Sequence, residues 1–277
     1  MISVIIPAYN EEKVIARCLK GLDDQEARLD VIVVCNGCTD NTAQVATKAS
    51  SSASIISIDM ASKTNAINIG LKHCRFKKIL LLDADIFLTF ENLMKLSVIA
   101  EKSDCLVASP LANVELARTS FMVKHYYLVA LKLPYFQKYK ISAAILLNEI
   151  GIERLGMIPN VISDDNYISL QFKENEKAVI KTIQYTLTPP ENFWSLIKIL
   201  TRSELGNLEL KMKYPNFLGE KEHTHARDLI LMLLNLRLFP SLAIFILTKL
   251  VVKIRARGQL KGLESYLWEK DNSSRRL

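Results

Sequence analysis

The sequence predicts an α/β protein with a mostly parallel β-sheet and helices on both faces. Short apolar, β-branched runs alternate with segments of helical period over the first 110 residues. Such runs are typical of strands that are buried on both faces. Repeated strand, helix, strand units favour parallel pairing, and ligands of these sheets bind at the carboxyl ends of the strands.

The strands are predicted at residues 2–6, 31–35, 55–58, 79–82 and 105–108. The first helix is predicted to begin at Asn10 as N-cap, because Glu11 and Glu12 then fall in its first turn, where acids are favourable. The middle of the chain is less regular. It contains an amphipathic stretch at 121–133, a strand at 143–147 and a helix that starts near Asp165. A further helix is predicted from Asn192 to about residue 211.

Composition and charge narrow the functional classes. The 277 residues carry a net charge of +7, with a hydrophobic content of 49% that is ordinary for a globular protein. Residues 249–277 hold eight basic side chains against three acids. This cluster follows an apolar segment, whereas nucleic-acid binding would call for basic residues interleaved with base-stacking aromatic side chains, so the pattern argues against nucleic-acid binding. Five cysteines and no recognisable export signal favour the cytoplasm.

Two carboxylates, Asp83 and Asp85, follow the apolar run at 79–82. Mg²⁺ and Mn²⁺ prefer oxygen ligands and are commonly held by one or two carboxylates together with substrate phosphates. The end of a buried strand suits such a site. The alternative is that these acids only cap a turn or the next helix.

Four motifs occur in order along the first part of the chain. They are Pro7-Ala8-Tyr9-Asn10-Glu11, Asn36-Gly37-Cys38-Thr39-Asp40-Asn41-Thr42, Lys63-Thr64-Asn65-Ala66-Ile67-Asn68-Ile69-Gly70 and Asp83-Ala84-Asp85. In these motifs the sequence resembles a family 2 glycosyltransferase of the GT-A fold. The resemblance implies a nucleotide-sugar-dependent, inverting glycosyltransferase that uses Mn²⁺ or Mg²⁺.

The resemblance also implies roles for individual residues. Asp85 is the direct metal ligand, and the donor nucleotide is bound by Pro7, Tyr9, Glu11, Asn36, Lys63, Asp83, Ala84 and Arg202. A UDP-sugar is the commonest donor in the family, while the pair Cys35-Asn36 leaves guanosine and thymidine donors open. A histidine of the polar loop, His223 or His225, is a candidate additional metal ligand.

Asp164 and Asp165 match the acidic pair that the family places beneath the acceptor, with Asp165 as general base and Asp164 beside it. The alternative is simple helix capping. For Arg202, a diphosphate contact competes with a solvated position on a helix.

The resemblance divides the chain into a nucleotide-sugar-binding half at 1–110, an acceptor-binding and catalytic half at 111–190, and a helical C-terminal region at 191–277. The apolar run at 229–252 is interrupted by Arg237 and Lys249, which disfavours a membrane span. Interfacial membrane contact, core packing and homodimer packing remain alternatives. The sequence does not specify the acceptor: lipid-linked, polysaccharide and small-molecule acceptors are all open. A membrane-bound, lipid-linked acceptor at the inner face of the cell membrane is preferred. The competing functional hypothesis is a catalytically silent nucleotide-binding or membrane scaffold of the same fold.

Overall fold

A computed structural model describes residues 1–24, 28–215, 232, 238–260 and 262. Its strands are β1 Ile2–Ala8, β2 Leu29–Asn36, β3 Ser54–Ile58, β4 Ile79–Leu82, β5 Val107–Val114, β6 Ala144–Leu147 and β7 Lys177–Leu187. They form one sheet in the order β3-β2-β1-β4-β6-β5-β7. β6 pairs antiparallel with β4 and β5, and the other neighbouring strands pair in parallel. The predicted mostly parallel sheet is confirmed.

The described helices flank this sheet. They are α1 Ile15–Gly21, α2 Thr42–Ala49, α3 Lys63–His73, α4 Phe90–Lys102, α5 Phe121–Ala130, α6 Glu149–Leu155, α7 Asp164–Leu170, α8 Phe193–Lys213 and α9 Phe239–Gln259. A π-helix at Tyr135–Tyr139 follows α5, and a short 3₁₀-helix at Glu174–Glu176 precedes β7.

Burial on both faces of the sheet explains why the sequences of the first strands are continuous apolar runs. Successive side chains of a strand point to opposite faces. In β1, Val4 and Ile6 enter one hydrophobic cluster and Ile5 enters another, and all three are fully buried. Helices cover both faces of the sheet, so both faces of β1 are apolar. The exception is Ser3, a buried residue whose Oγ donates to Asp30 Oδ2 at 2.8 Å.

The predicted start of the first helix is wrong. Asn10 is not its N-cap, since α1 begins at Ile15 after a turn. The Asn10 backbone has φ of +54°, a left-handed conformation that Asn tolerates. Its side-chain Oδ1 accepts a hydrogen bond from the Thr39 amide at 2.7 Å. The side chain that would cap the helix instead joins the loop after β1 to the loop after β2.

The C-terminal helices α8 and α9 pack against each other and against α5. α8 begins as predicted, because Asn192 Oδ1 caps it by accepting from the Ser195 amide at 2.9 Å. α9 packs against α5, with Phe245 stacked on Tyr126 at 5.2 Å between ring centroids. One face of the predicted apolar segment is therefore core. Arg237, which interrupts that segment, lies outside the described residues.

None of the helices in the described part of the chain is both long and apolar enough to cross a bilayer. The division of the chain at residues 110 and 190 stays a prediction. β5 runs through the first of these positions, so the two predicted halves share one sheet.

Candidate active site

The turn that follows β4 carries Asp83 and Asp85, and neighbouring backbone fixes it on two sides. The Asp83 amide donates to the carbonyl of Ala143 at 2.8 Å. Phe87 and Thr186 exchange backbone hydrogen bonds of 3.2 and 2.9 Å, which tie the residues after the turn to β7. Both carboxylates, each half-buried, are thereby held at the carboxyl edge of the sheet.

Lys63 joins this turn to the second acidic motif. It is the first residue of α3, whose N-cap Ser62 accepts a hydrogen bond from the Asn65 amide. Lys63 Nζ lies 2.7 Å from Asp83 Oδ1 and 2.9 Å from Asp164 Oδ2. One ammonium group therefore bridges the predicted donor side and the predicted acceptor side of the site.

Charge and burial compete at this bridge. Burial on its own lowers the pKa of Lys63, but attraction by Asp164, Asp83 and Asp165 outweighs it, so the pKa of Lys63 lies above its ordinary value. Burial raises the pKa of Asp164, and repulsion by Asp165 adds to this, while Lys63 counteracts both. The ammonium is thus charged, and it favours the ionised form of Asp164, although the net effect of the surroundings is to raise the pKa of Asp164.

Helix α8 sets the position of the second acidic motif. Gly206 allows the close approach, because a Cβ added there would lie 2.6 Å from Ser163 Cβ and 3.0 Å from the Ser163 amide nitrogen. Asn207 Oδ1 accepts from Asn166 Nδ2 at 2.6 Å. Asp165 Oδ1 in turn accepts from Ser163 Oγ at 3.1 Å and from the Asn166 amide at 2.9 Å. The hydrogen bonds at the start of α7 therefore orient the carboxylate of Asp165, the predicted base. Helix α8 packs against this helix start and supports it.

The loops after β1 and β2 are bound to each other by buried polar groups. The Glu11 amide donates to Thr42 Oγ1 at 2.7 Å, and Asn36 Nδ2 donates to the carbonyl of Ala8 at 2.9 Å. Glu11 and Asn36 are both buried. Their observed contacts hold the two strand ends together, and their contact with a nucleotide stays a prediction.

Part of the predicted site converges. Pro7, Lys63, Asp83, Asp164 and Asp165 line one small cavity. Six further predicted residues do not line that cavity, namely Tyr9, Glu11, Asn36, Ala84, Asp85 and Arg202. The Ala84 side chain belongs to the hydrophobic core, and Arg202 is half-buried on α8. His223 and His225 lie outside the described residues.

The side chains at the site can be compared with the ligands that a divalent cation requires. The described residues contain no cluster of three or more acidic, histidine or cysteine side chains arranged to hold a metal ion. Asp83 is paired with Lys63, and Asp85 is a half-buried carboxylate that follows the same strand. A site completed by substrate phosphates needs only one or two carboxylates. A metal of that kind is compatible with the residues present, and the role of Asp85 as its protein ligand stays a prediction.

The sequence profile of glycosyl transferase family 2 matches residues 3–152, more than half of the chain. The chain belongs to glycosyl transferase family 2. The matched segment carries the four motifs together with the strands that present them.

Curated relatives agree over a shorter stretch. The chain is 35% identical over 91 residues to the 4,4'-diaponeurosporenoate glycosyltransferase of Staphylococcus aureus (strain USA300). That match covers 31% of this chain and 24% of the relative, so it spans about a quarter of the relative's length.

Solved structures show the same fold at low identity. TarS of S. aureus, solved in complex with UDP, is similar with a TM-score of 0.55 and 14% identity over 98% of this chain and 94% of that chain. The mannosyltransferase PcManGT from Pyrobaculum calidifontis, solved with GDP-Man and Mn²⁺, is similar with a TM-score of 0.60 and 17% identity. The similarity covers 97% of this chain and 81% of that chain. The GT-A fold implied by the sequence motifs is therefore confirmed.

One residue that sequence reasoning left without a role contributes to the site. Asn68, buried in α3, donates from Nδ2 to the Ile158 carbonyl at 2.8 Å and accepts from the Ile158 amide at 2.9 Å. It anchors the segment that leads to Asp164. The sequence feature that could have indicated this role is an amide side chain at a buried position of a helix.

Proposed function

We propose that this glycosyltransferase moves a sugar from a nucleoside diphosphate donor to an acceptor hydroxyl, with inversion at the anomeric carbon. The bridge from Asp83 through Lys63 to Asp164 carries the proposal. Asp83, a predicted donor-side carboxylate, and Asp165, the predicted base, line the same small cavity as this bridge.

The donor assignment is supported by the proteins that share the fold. TarS has been solved with UDP and with UDP-GlcNAc, and PcManGT with GDP-Man. We assign a UDP-sugar as the first donor to test, with GDP- and dTDP-sugars as the alternatives. Pro7, Tyr9, Glu11, Asn36 and Lys63 form the proposed nucleotide-binding set, with Asp83, Ala84 and Arg202 completing it.

Mn²⁺ or Mg²⁺ held by Asp85 and the donor diphosphate would offset the negative charge that builds on the leaving nucleotide. The proton transfer belongs to the protein. Asp165 accepts hydrogen bonds from Ser163 and Asn166 on Oδ1, which fixes its orientation. A carboxylate so placed can take the proton of the acceptor hydroxyl as its oxygen attacks the anomeric carbon from the face opposite the nucleotide. No covalent intermediate is required.

The test compares Asp165→Asn with wild type. We expect nucleotide binding to be retained and the turnover number to fall about 10²-fold to 10⁴-fold, the range for loss of a general base. Glu153→Gln, at an exposed position on α6, is the matched control and is expected to behave as wild type. Proton NMR of the first product identifies its anomeric configuration. Full turnover in Asp165→Asn, or a product that retains the donor configuration, refutes this mechanism.

The outer face of α9 supports a membrane-associated acceptor. Ile246, Leu247, Leu250 and Ile254 are more than half exposed, and Lys253 on the same helix is exposed as well. An apolar stripe flanked by cations suits an anionic membrane surface, where apolar burial and electrostatic attraction add. We therefore assign the acceptor to the lipid-linked class and the enzyme to the inner face of the cell membrane.

Vesicle flotation tests this assignment. Binding to vesicles that contain phosphatidylglycerol is expected to weaken in Leu250→Glu, while Leu250→Met binds as wild type. If instead the wild-type protein ignores these vesicles and dimerises through α9, as judged by light scattering, the membrane assignment is wrong and homodimer packing replaces it.

A further inference from the structure

The segment that leads to the predicted base has neither helix nor strand of its own. Residues 156–163 join α6 to α7, and Asp165 lies in the first turn of α7. The backbone groups of such a segment need partners from other parts of the chain, and these partners fix its position. Asn68 of α3 holds one end of the segment at Ile158. The end next to α7 is held by a different helix.

Glu209 of α8 holds that second end. Its Oε2 accepts a hydrogen bond from the Ile162 amide at 2.7 Å, and its Oε1 lies 2.7 Å from Lys213 Nζ. Glu209 is only 4% exposed, whereas the side chain of Lys213 is 48% exposed. One carboxylate oxygen therefore restrains the backbone before α7, and the other is paired with a charge at the surface.

A buried carboxylate is a costly side chain for this position of α8. Taking a charge out of water is unfavourable even when the charge is paired, and well-packed apolar side chains often stabilise a protein at least as well as a buried ion pair. Stability therefore does not account for Glu209. The contact with Ile162 does, because it gives an acceptor to a backbone donor that lies outside any helix or strand.

The Ile162 amide lies close in the chain to the carboxylate of the predicted base. Ile162 is followed directly by Ser163, whose Oγ donates to Asp165 Oδ1 at 3.1 Å. Gly206 lies three residues before Glu209, on the same side of α8, and allows the close approach to Ser163. A displacement of the Ile162 backbone would therefore move the hydrogen bond that orients Asp165.

We propose that Glu209 is a positioning residue for the transfer reaction, which sets the orientation of Asp165 through the Ile162 amide. The inference rests on the proposed function, in which Asp165 is the general base. A misplacement of about 1 Å at a reacting group can cost about 10²-fold in rate. Loss of the Ile162 hydrogen bond is therefore expected to lower the turnover number about 10-fold to 10²-fold and to leave KM for the donor near its wild-type value.

The experiment compares Glu209→Gln with Glu209→Met. Both variants lose the charge, but only Glu209→Gln keeps an oxygen that can accept from the Ile162 amide. Lys213→Met, at an exposed position of α8, removes the counter-charge and keeps this acceptor. Turnover is measured as nucleotide release from UDP-, GDP- and dTDP-hexoses with water as the acceptor. Amide hydrogen exchange over residues 157–166 measures the restraint itself.

Slower release and faster exchange in Glu209→Met, with both near wild type in Glu209→Gln and Lys213→Met, support the proposal. Glu209→Asp serves if Glu209→Met does not fold, because it keeps the charge but shortens the side chain. Release by Glu209→Asp is expected to be slower than release by Glu209→Gln, the reverse of the order that charge alone would give.

The proposal is refuted if Glu209→Met is folded and matches wild type in both measurements, or if Glu209→Gln is as slow as Glu209→Met. A wild-type protein that releases no nucleotide from any of these donors, while exchange still differs between Glu209→Met and Glu209→Gln, gives a different result. It refutes the proposed function and supports the restraint of the Ile162 backbone by Glu209.

Discussion

Replacing Lys63 by Met removes the only charge that bridges Asp83 and Asp164 in the described ion pairs, while it keeps a side chain of similar length. Deleting one partner of a buried ion pair costs about 3–5 kcal/mol, because the other charge is left unpaired. The side chains of Lys63 and Asp83 are 24% and 34% exposed and that of Asp164 only 10%. Water screens part of the loss, so we expect about 2–3 kcal/mol of destabilisation at neutral pH.

The pH dependence of this loss follows from Asp164. Burial already raises the pKa of Asp164 and Lys63 opposes that rise. Without Lys63 the pKa of Asp164 in the folded protein rises further above its value in the unfolded chain. The folded variant then binds more protons than the unfolded one, so its stability increases as pH falls through that folded-state pKa. The deficit relative to wild type is therefore largest at pH 8 and smaller at pH 5.

Urea unfolding at both pH values measures the effect. Lys63→Met combined with Asp164→Asn is expected to recover part of the loss, because the unpaired carboxylate is gone, and the double-mutant cycle gives the coupling. Lys95→Met, which breaks an exposed pair with Glu91, is the control and is expected to cause no resolvable change. A Lys63→Met protein as stable as wild type at pH 8, or a deficit that is equal at both pH values, refutes the electrostatic account.

Two further predictions concern packing around the acidic motif. Gly206→Ala is expected to cost about 1–3 kcal/mol of stability and to lower turnover, because the new Cβ would overlap Ser163. Gly258→Ala, which has open space around the new Cβ, is expected to be neutral or slightly stabilising. Thermal melts and transfer rates of the two variants check this, and equal behaviour of the two variants contradicts it. Asn68→Ala is expected to cost about 1–3 kcal/mol, because both backbone groups of Ile158 lose their partner in a buried place; a melting temperature equal to that of wild type would show that Asn68 anchors nothing.

The sequence predicted the strands whose side chains are buried on both faces, since those strands appear as plain apolar runs. It did not predict β7. The buried side chains Ile180, Ile183 and Tyr185 are spaced by three and then by two residues. A bulge opposite Pro110 and the residue that follows it shifts the register at this point. Strict alternation is broken there, and periodicity alone cannot find the strand.

At the site, too, some features could be predicted from the sequence and others could not. Motif order located Asp83, Lys63 and Asp164, because each follows or precedes a recognisable element. Their pairing could not be predicted, since residues far apart in the chain meet only through the order of strands in the sheet. The start of α1 was predicted wrongly because the Asn10 side chain accepts a hydrogen bond from the Thr39 amide. This contact joins two loops, and local capping preferences cannot predict it.

The most direct test of the account is titration of the purified protein with UDP, GDP and dTDP, with and without Mn²⁺, repeated on Asp85→Ala. The exposed Asp23→Ala serves as control. The account predicts that one nucleotide binds in a Mn²⁺-dependent manner, that Asp85→Ala weakens this binding, and that Asp23→Ala does not. A folded wild-type protein that binds none of the three nucleotides would contradict the donor site and leave a catalytically silent scaffold as the better description.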